Sequence, residues 1–174
     1  ELNIIKSNFT KLLRDMVNFL DIQKLERGQV YYNHNQVLEM AELLKNKIDL
    51  FKETANKKNI KISLGVKTKE AYIKIDSFAI DRIINNLIDN AIKYNKPDGK
   101  INVQLLSNDK EIQLIVNDTG IGISEEEINY IFEPYYQMSH EKRQVQGLGM
   151  GLSIVKMIMN EVNGKISVES KIDK

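Results

Sequence analysis

A chain of 174 residues suits one ordinary domain, or a slightly smaller one with an appendage. Its 25 basic and 24 acidic residues balance, which argues against nucleic acid or an anionic membrane as partner, and the absence of cysteine excludes disulfides and thiolate metal sites. No apolar run approaches the about 18 residues needed to span a bilayer and no signal peptide is visible, so the segment reads as soluble and cytoplasmic.

From Leu2 to about Leu25, apolar residues recur at intervals of three and four (Ile5, Phe9, Leu12, Met16, Phe19, Leu20), the pattern of a long amphipathic helix. Its stripe needs a partner: a preceding helix, a second copy of the chain, or the globular part. Glu26-Arg27-Gly28 ends it. The chain opens without Met, inside this helical pattern, and stops soon after a strand-like one, so it reads as a piece of a longer protein whose remainder could include a membrane span. Val30 to Tyr32 reads as a short strand, and Asn33 to Asn35 as a turn leading into a second amphipathic helix from about Gln36 to Asn56, with Val37, Met40, Leu44 and Ile48 inward. Ile60, Ile62, Leu64 and Val66 alternate as a strand, and Tyr72, Ile73 and Ile75 read as its hairpin partner.

A helix from about Ser77 to Tyr94 follows, with Ile80, Ile84, Leu87, Ile88 and Ala91 on its core side. At about 100° per residue, Asn86, Asn90 and Lys93 fall within roughly 60° of one another on the other side. An amide oxygen can ligate a hard cation such as Mg²⁺, an amide N–H₂ can donate to phosphate, and a lysine adds positive charge. The alternative is a solvated face without function. Asn95 to Gly99 is turn chemistry closed by Pro97. Ile101, Val103 and Leu105, then Ile112, Leu114 and Val116, alternate as a hairpin. The second strand runs out at Asp118, whose carboxylate, read as buried, could accept from an exocyclic amine such as adenine's, while Gly120 and Gly122 let the chain approach a flat ring; a plain turn is the alternative.

Ser124 with Glu127 makes a capping box for a helix to about Phe132. Glu133 to Gly151 has little periodicity and reads as a mobile loop. Gly147, Gly149 and Gly151 sit just before a helix over Leu152 to Val162, where backbone N–H groups suit phosphate oxygens; neither the P-loop nor the dinucleotide fingerprint is matched. Gly164 leads into a last strand, Ile166 to Val168.

Four segments, Asn86–Tyr94 (NLIDNAIKY), Asp118–Ile123 (DTGIGI), Ile131–Tyr136 (IFEPYY) and Gly147–Lys156 (GLGMGLSIVK), resemble in order the asparagine, first glycine, phenylalanine and second glycine boxes of sensor histidine kinases. Asp15–Gly28 (DMVNFLDIQKLERG) resembles the end of the second helix of that family's dimerisation and phosphoacceptor hairpin. The resemblance implies residues 1–28 as hairpin remnant and 29–174 as ATP-binding catalytic domain, an α/β two-layer sandwich whose mixed sheet is covered by helices on one face, preceded by one long helix. It implies Asn90 as Mg²⁺ ligand beside Asn86, Lys93 on phosphate, Tyr94 against the nucleotide and Asp118 on the adenine amine. Gly120 and Gly122 would line the base pocket, Phe132 would brace the loop, and Gly147, Gly149 and Gly151 would wrap the phosphates.

The implied activity is transfer of the ATP γ-phosphoryl to a histidine outside the fragment, with Asn86, Asn90 and Lys93 as the catalytic group. The implied partners are that acceptor histidine, a response regulator receiver domain, and a second copy of the parent, with no nucleic acid. His34 and His140 read as incidental surface histidines. The related ATPases carry a water-activating glutamate four residues before the metal asparagine; Asn86 stands there, which disfavours hydrolysis. A non-catalytic nucleotide-binding or dimerisation module is the remaining alternative.

Overall fold

The computed structural model describes residues 5, 9, 12, 13, 16–20, 23, 24, 32–68, 70–137 and 148–172. The chain forms two compact units, Glu1–Tyr31 with Asn129–Ile166, and Tyr32–Ile128 with Ser167–Lys174.

The second unit holds, in order, β1 (Val37–Glu39), α1 (Met40–Asn56), β2 (Lys61–Lys67), β3 (Tyr72–Lys74), α2 (Ser77–Lys93), β4 (Lys100–Ser107), β5 (Ile112–Asp118) and a single-turn α3 (Glu125–Ile128). β2, β4 and β5 make a mixed sheet, β2 parallel to β4 and β4 antiparallel to β5. Register explains its two faces. Ile62, Leu64 and Val66 stand opposite Ile101, Val103 and Leu105, which stand opposite Asp118, Val116 and Leu114. Residues opposite one another point to the same side, so these rows make one apolar face. Both helices pack on this sheet, α1 on β2 and α2 on β5, and Ile101, Val103 and Leu105 are fully buried. The other face is polar, with Gln104 Nε2 donating to Asn102 Oδ1 at 2.6 Å and Asn102 Nδ2 to Ser63 Oγ at 3.0 Å.

α2 is the helix expected from its pattern. It buries Ala79, Ile80, Ile83, Ile84, Ile88, Ala91 and Ile92, and each isoleucine withdrawn from water contributes about 1.5–3 kcal/mol. Asp76, itself 9% exposed, caps its start: the N–H groups of Phe78 and Ala79 donate to Oδ1 at 2.8 and 3.2 Å. The second carboxylate oxygen accepts Asn33 N–H at 3.0 Å. At the other end Lys58 Nζ donates to the carbonyls of Ile92 and Lys93 at 3.2 and 3.4 Å, a cation where the helix dipole favours one. Lys47 and Asp81, 2.7 Å apart, tie α1 to α2.

Several elements differ from the sequence reading. Val37 is not an inward helical residue but a 65%-exposed strand residue; α1 starts three positions later, where the Glu39 carboxylate accepts Ala41 and Glu42 N–H. β3 pairs antiparallel with β1 instead of forming a hairpin with β2, whose ladder partner is β4. The expected strand at 30–32 lies outside the described residues except for Tyr32, which is in no strand.

The helix at Ser124 is capped as expected, Ser124 Oγ accepting Glu127 N–H at 3.3 Å and donating to Glu127 Oε2 at 2.8 Å, yet it ends at Ile128 instead of about Phe132. Beyond it turns follow, Glu133 N–H reaching Tyr130 O at 2.9 Å and Tyr136 N–H reaching Glu133 O at 3.3 Å. Residues 164–171 alternate half-buried and exposed as a strand would, but they join no ladder among the described residues, so β5 is an edge.

In the first unit, α4 (Gly151–Glu161) buries Ser153, Ile154, Val155 and Ile158. The described residues from 5 to 24 are helical, and Ile5, Phe9, Leu12, Met16 and Leu20 are each half or more exposed.

Asp76→Ala removes a cap and strands the Asn33 N–H. The expected loss is about 1–2 kcal/mol in urea unfolding, and Asp76→Asn, which can still cap, should recover most of it.

Candidate functional site

The outer face of α2 carries Asn86, Asn90 and Lys93, all half-buried. Asn86 Nδ2 donates to Arg82 O at 2.9 Å, one turn back, which holds its amide along the helix. The Asn90 side chain makes no hydrogen bond among the described residues, while its backbone carbonyl accepts Tyr94 N–H at 3.0 Å. Lys93 Nζ donates to Tyr94 Oη at 3.0 Å and stands 4.6 Å from the centre of that ring, a cation over an aromatic face.

Tyr94 closes α2 and reaches the end of β5. Its carbonyl accepts Ile121 N–H at 3.1 Å. A Cβ on Gly120 would lie 2.6 Å from both that carbonyl oxygen and Asp118 Oδ1, so only glycine permits this approach. Gly122 has φ +73° and would overlap the Lys171 carbonyl if it carried a Cβ. These glycines therefore serve the packing of their own chain. Asp118 occupies the last position of the apolar rows of the sheet, opposite Ile101, but it is exposed, not buried as expected, because β5 ends there. Its Oδ1 accepts Gly120 N–H at 2.8 Å in a side-chain turn, leaving Oδ2 as an acceptor for a ligand.

The first unit carries the other predicted residues. Gly149, at φ +69°, has a backbone so close to the Tyr136 carbonyl that a Cβ would overlap it. Met150 occupies the N-cap of α4 without a side-chain cap bond, and Gly151 begins the helix, so its first-turn N–H groups have no side-chain cap. Phe132 lies under Lys156 Nζ at 5.8 Å from its ring centre, and Lys156 is 3.9 Å from Glu133. Gly147, His140 and most of the expected mobile loop lie outside the described residues. His34 is not an incidental surface residue: it is half-buried, and its Nδ1 accepts Asp76 N–H at 3.1 Å.

Thus Lys93, Tyr94, Asp118 and Gly120 meet at one junction in the second unit. Two residues of that junction went unnoticed in the sequence, Asn95 and Thr119, whose side chains bond each other at 3.2 Å. The available signal was an Asn directly after the helix and a Thr directly after the strand. Among the described residues, the clefts beside β3 (Tyr72, Lys74, Asn108) and beside β2 (Lys45, Asp49, Ser63) contain none of the predicted residues.

A family profile described as histidine kinase-, DNA gyrase B-, and HSP90-like ATPase matches residues 75–174. The chain is 30% identical over 173 residues to the autoinducer 2 sensor kinase/phosphatase LuxQ of Vibrio cholerae, covering 97% of this chain and 20% of that protein. It therefore spans about a fifth of that relative's length. Among solved structures, the histidine kinase AdeS of Acinetobacter baumannii is 21% identical and superimposes with a TM-score of 0.73 over 99% of this chain and 76% of that one. The histidine kinase ThkA, in complex with the response regulator TrrA, is 22% identical with a TM-score of 0.69, over 93% of this chain and 44% of that one. Both likenesses establish the fold, a mixed sheet with helices. With more than half its length matched by the profile, the chain belongs to the histidine kinase-, DNA gyrase B- and HSP90-like ATPase family, as an ATP-binding domain.

Proposed function

We propose that this chain is the ATP-binding catalytic region of a sensor histidine kinase, transferring the γ-phosphoryl of Mg-ATP to a histidine outside residues 1–174. The observation that carries the reading is the junction at Tyr94, where the carbonyl accepting Ile121 N–H joins the asparagine face of α2 to the strand end bearing Asp118. A nucleotide has two chemically different ends, and this junction offers a different partner to each.

The residues fit the ligand. Mg²⁺ takes one or two protein oxygens and fills its shell with phosphate and water, so the amide of Asn90, free of competing bonds among the described residues, suffices as its protein ligand. Lys93 supplies positive charge for phosphate oxygens by leaving Tyr94 Oη, and Tyr94 offers a ring edge to the base or ribose. Asp118 Oδ2 accepts from an exocyclic amine while Oδ1 stays on Gly120. In the first unit, taken by itself, the start of α4 after Gly149 has N–H donors and a positive dipole end of the kind that suits phosphate. When bound, Mg²⁺ neutralises charge on the phosphates during transfer. Asn86 has no basicity near neutral pH and is held to Arg82, so water is not activated there.

The partners implied are a helix carrying the acceptor histidine, a response regulator receiver domain and, through the exposed stripe from Ile5 to Leu20, a second copy of the parent. No helix among the described residues is long and apolar enough to cross a membrane; a cytoplasmic place for this region, with the parent anchored or not, belongs to the same proposal.

Three measurements test it. In titration calorimetry, ATP should bind the chain more tightly with Mg²⁺, and Asn90→Ala should cost about 10–100-fold in Mg²⁺ and abolish the difference. GTP should bind about 10–100-fold more weakly than ATP, since a carbonyl replaces the amine that Asp118 accepts, and Asp118→Asn should narrow that gap. With γ-labelled ATP, the chain should neither label itself nor release phosphate appreciably, whereas a separately supplied histidine-bearing hairpin should become labelled. Label on His34 or His140 would refute the assignment of the acceptor.

A further inference from the structure

Between α2 and β5 the chain makes a compact polar knot. Thr119 Oγ1–H donates to Asn95 Oδ1 at 3.2 Å, and Lys100 N–H donates to the same Thr119 oxygen at 2.8 Å. Asn95 Oδ1 also accepts Lys96 N–H at 3.0 Å, and Asn95 Nδ2 donates to Lys100 O at 3.2 Å. Thr119 N–H reaches Lys100 O at 3.1 Å, extending the β4–β5 pairing one step beyond Asp118. The buried Gly99 carries no side chain because the Asn95 amide fills that space. Asn95 Oδ1, Thr119 Oγ1 and Lys100 O are each held by two partners.

Its place in the chain gives it a consequence. Asn95 follows Lys93 and Tyr94 directly, and Thr119 follows Asp118 directly. Apart from the Tyr94 carbonyl bond to Ile121, this side-chain pair is the hydrogen-bonded tie between the end of the helix and the end of the strand among the described residues. Tyr94 acts through the backbone and survives any substitution there. The side-chain pair is the part that sequence can tune.

We propose that Asn95 and Thr119 are positioning residues: their hydrogen bond sets the separation between the Asn90–Lys93 end of α2 and the Asp118 carboxylate, and so governs ligands that must reach both. This rests on the nucleotide reading above. Adenosine presents only the base and ribose, which Asp118 serves. Mg-ATP must engage Asp118 and the helix together, and an error in their spacing weakens only the ligand that bridges them.

The test compares Mg-ATP and adenosine binding to the whole chain by titration calorimetry, for wild type, Thr119→Val, Thr119→Ser and Asn95→Ala. Valine keeps the shape of threonine and removes the hydroxyl; serine keeps the hydroxyl. Thr119→Val and Asn95→Ala should each weaken Mg-ATP about tenfold while leaving adenosine within about twofold, the size of one modest hydrogen bond. Thr119→Ser should bind Mg-ATP as wild type does. Equal losses for both ligands would mean a general structural role and would overturn the proposal, as would wild-type Mg-ATP binding by Asn95→Ala and Thr119→Val. Should Thr119→Val not fold, Asn95→Ala decides alone. A wild-type chain that binds no ATP would instead overturn the nucleotide reading itself, a result seen before any variant is made.

Discussion

The buried carboxylate of Asp76 is the constraint on which the second unit depends. The first turn of a helix leaves backbone N–H groups without intrahelical acceptors, and at the start of α2 both Asp76 and Ala79 are buried. The three that follow Asp76 are provided for, Ser77 N–H going to Gln36 Oε1 and Phe78 and Ala79 N–H to Asp76 Oδ1, while Ile80 N–H makes the first intrahelical bond, to the Asp76 carbonyl. The N–H of Asp76 itself goes to His34 Nδ1. The segment from Asn33 to Gln36 thus serves the start of the helix on which Asn86 and Asn90 stand. A negative group at this end also matches the helix dipole.

The same helix makes the site possible by geometry. Its isoleucine face is fixed against the sheet, so the asparagine face must look away, and the four-residue spacing of Asn86 and Asn90 stacks their amides one turn apart. The sheet supplies the second half by its own period. Ile112, Leu114 and Val116 point to the helix-covered side, and Asp118, two further on, must point there too. A carboxylate in a core-facing register is tolerable only at the last row, where the apolar layer ends. That position also places it beside the close of α2, since Gly120 and Ile121 pack on the Tyr94 carbonyl.

Periodicity carried most of this in plain sight. α2, α4 and the β4–β5 hairpin were readable because their patterns run for several turns or steps. The elements that were misread are short or depend on remote partners. β1 is three residues, and nothing within Val37–Glu39 names Tyr72–Lys74 as its partner. The alternation of residues 164–171 survives as a burial pattern, but a strand needs backbone partners as well as alternation, and those are not encoded locally. The role of His34 was hidden for a related reason: it follows from Asp76, 42 residues away in sequence. Motifs named the candidate residues, while Asn95 and Thr119 escaped because an Asn after a helix and a Thr after a strand do not by themselves name each other as partners 24 residues apart.

Under the proposed reading, the division of labour follows from what α2 lacks. A helix that binds phosphate could also activate water if it carried a carboxylate near the metal ligand. At Asn86 it carries an amide, and that amide is bonded to the Arg82 carbonyl, so it is neither basic nor free to turn. The arrangement holds a phosphoryl donor in place without offering an attacking group from the same helix. The only described histidine, His34, has its Nδ1 committed to the Asp76 N–H, and using that nitrogen as a nucleophile would break the cap network of α2. Transfer then depends on whether an outside histidine is presented, which makes docking of the acceptor the controlled step and hydrolysis the suppressed one.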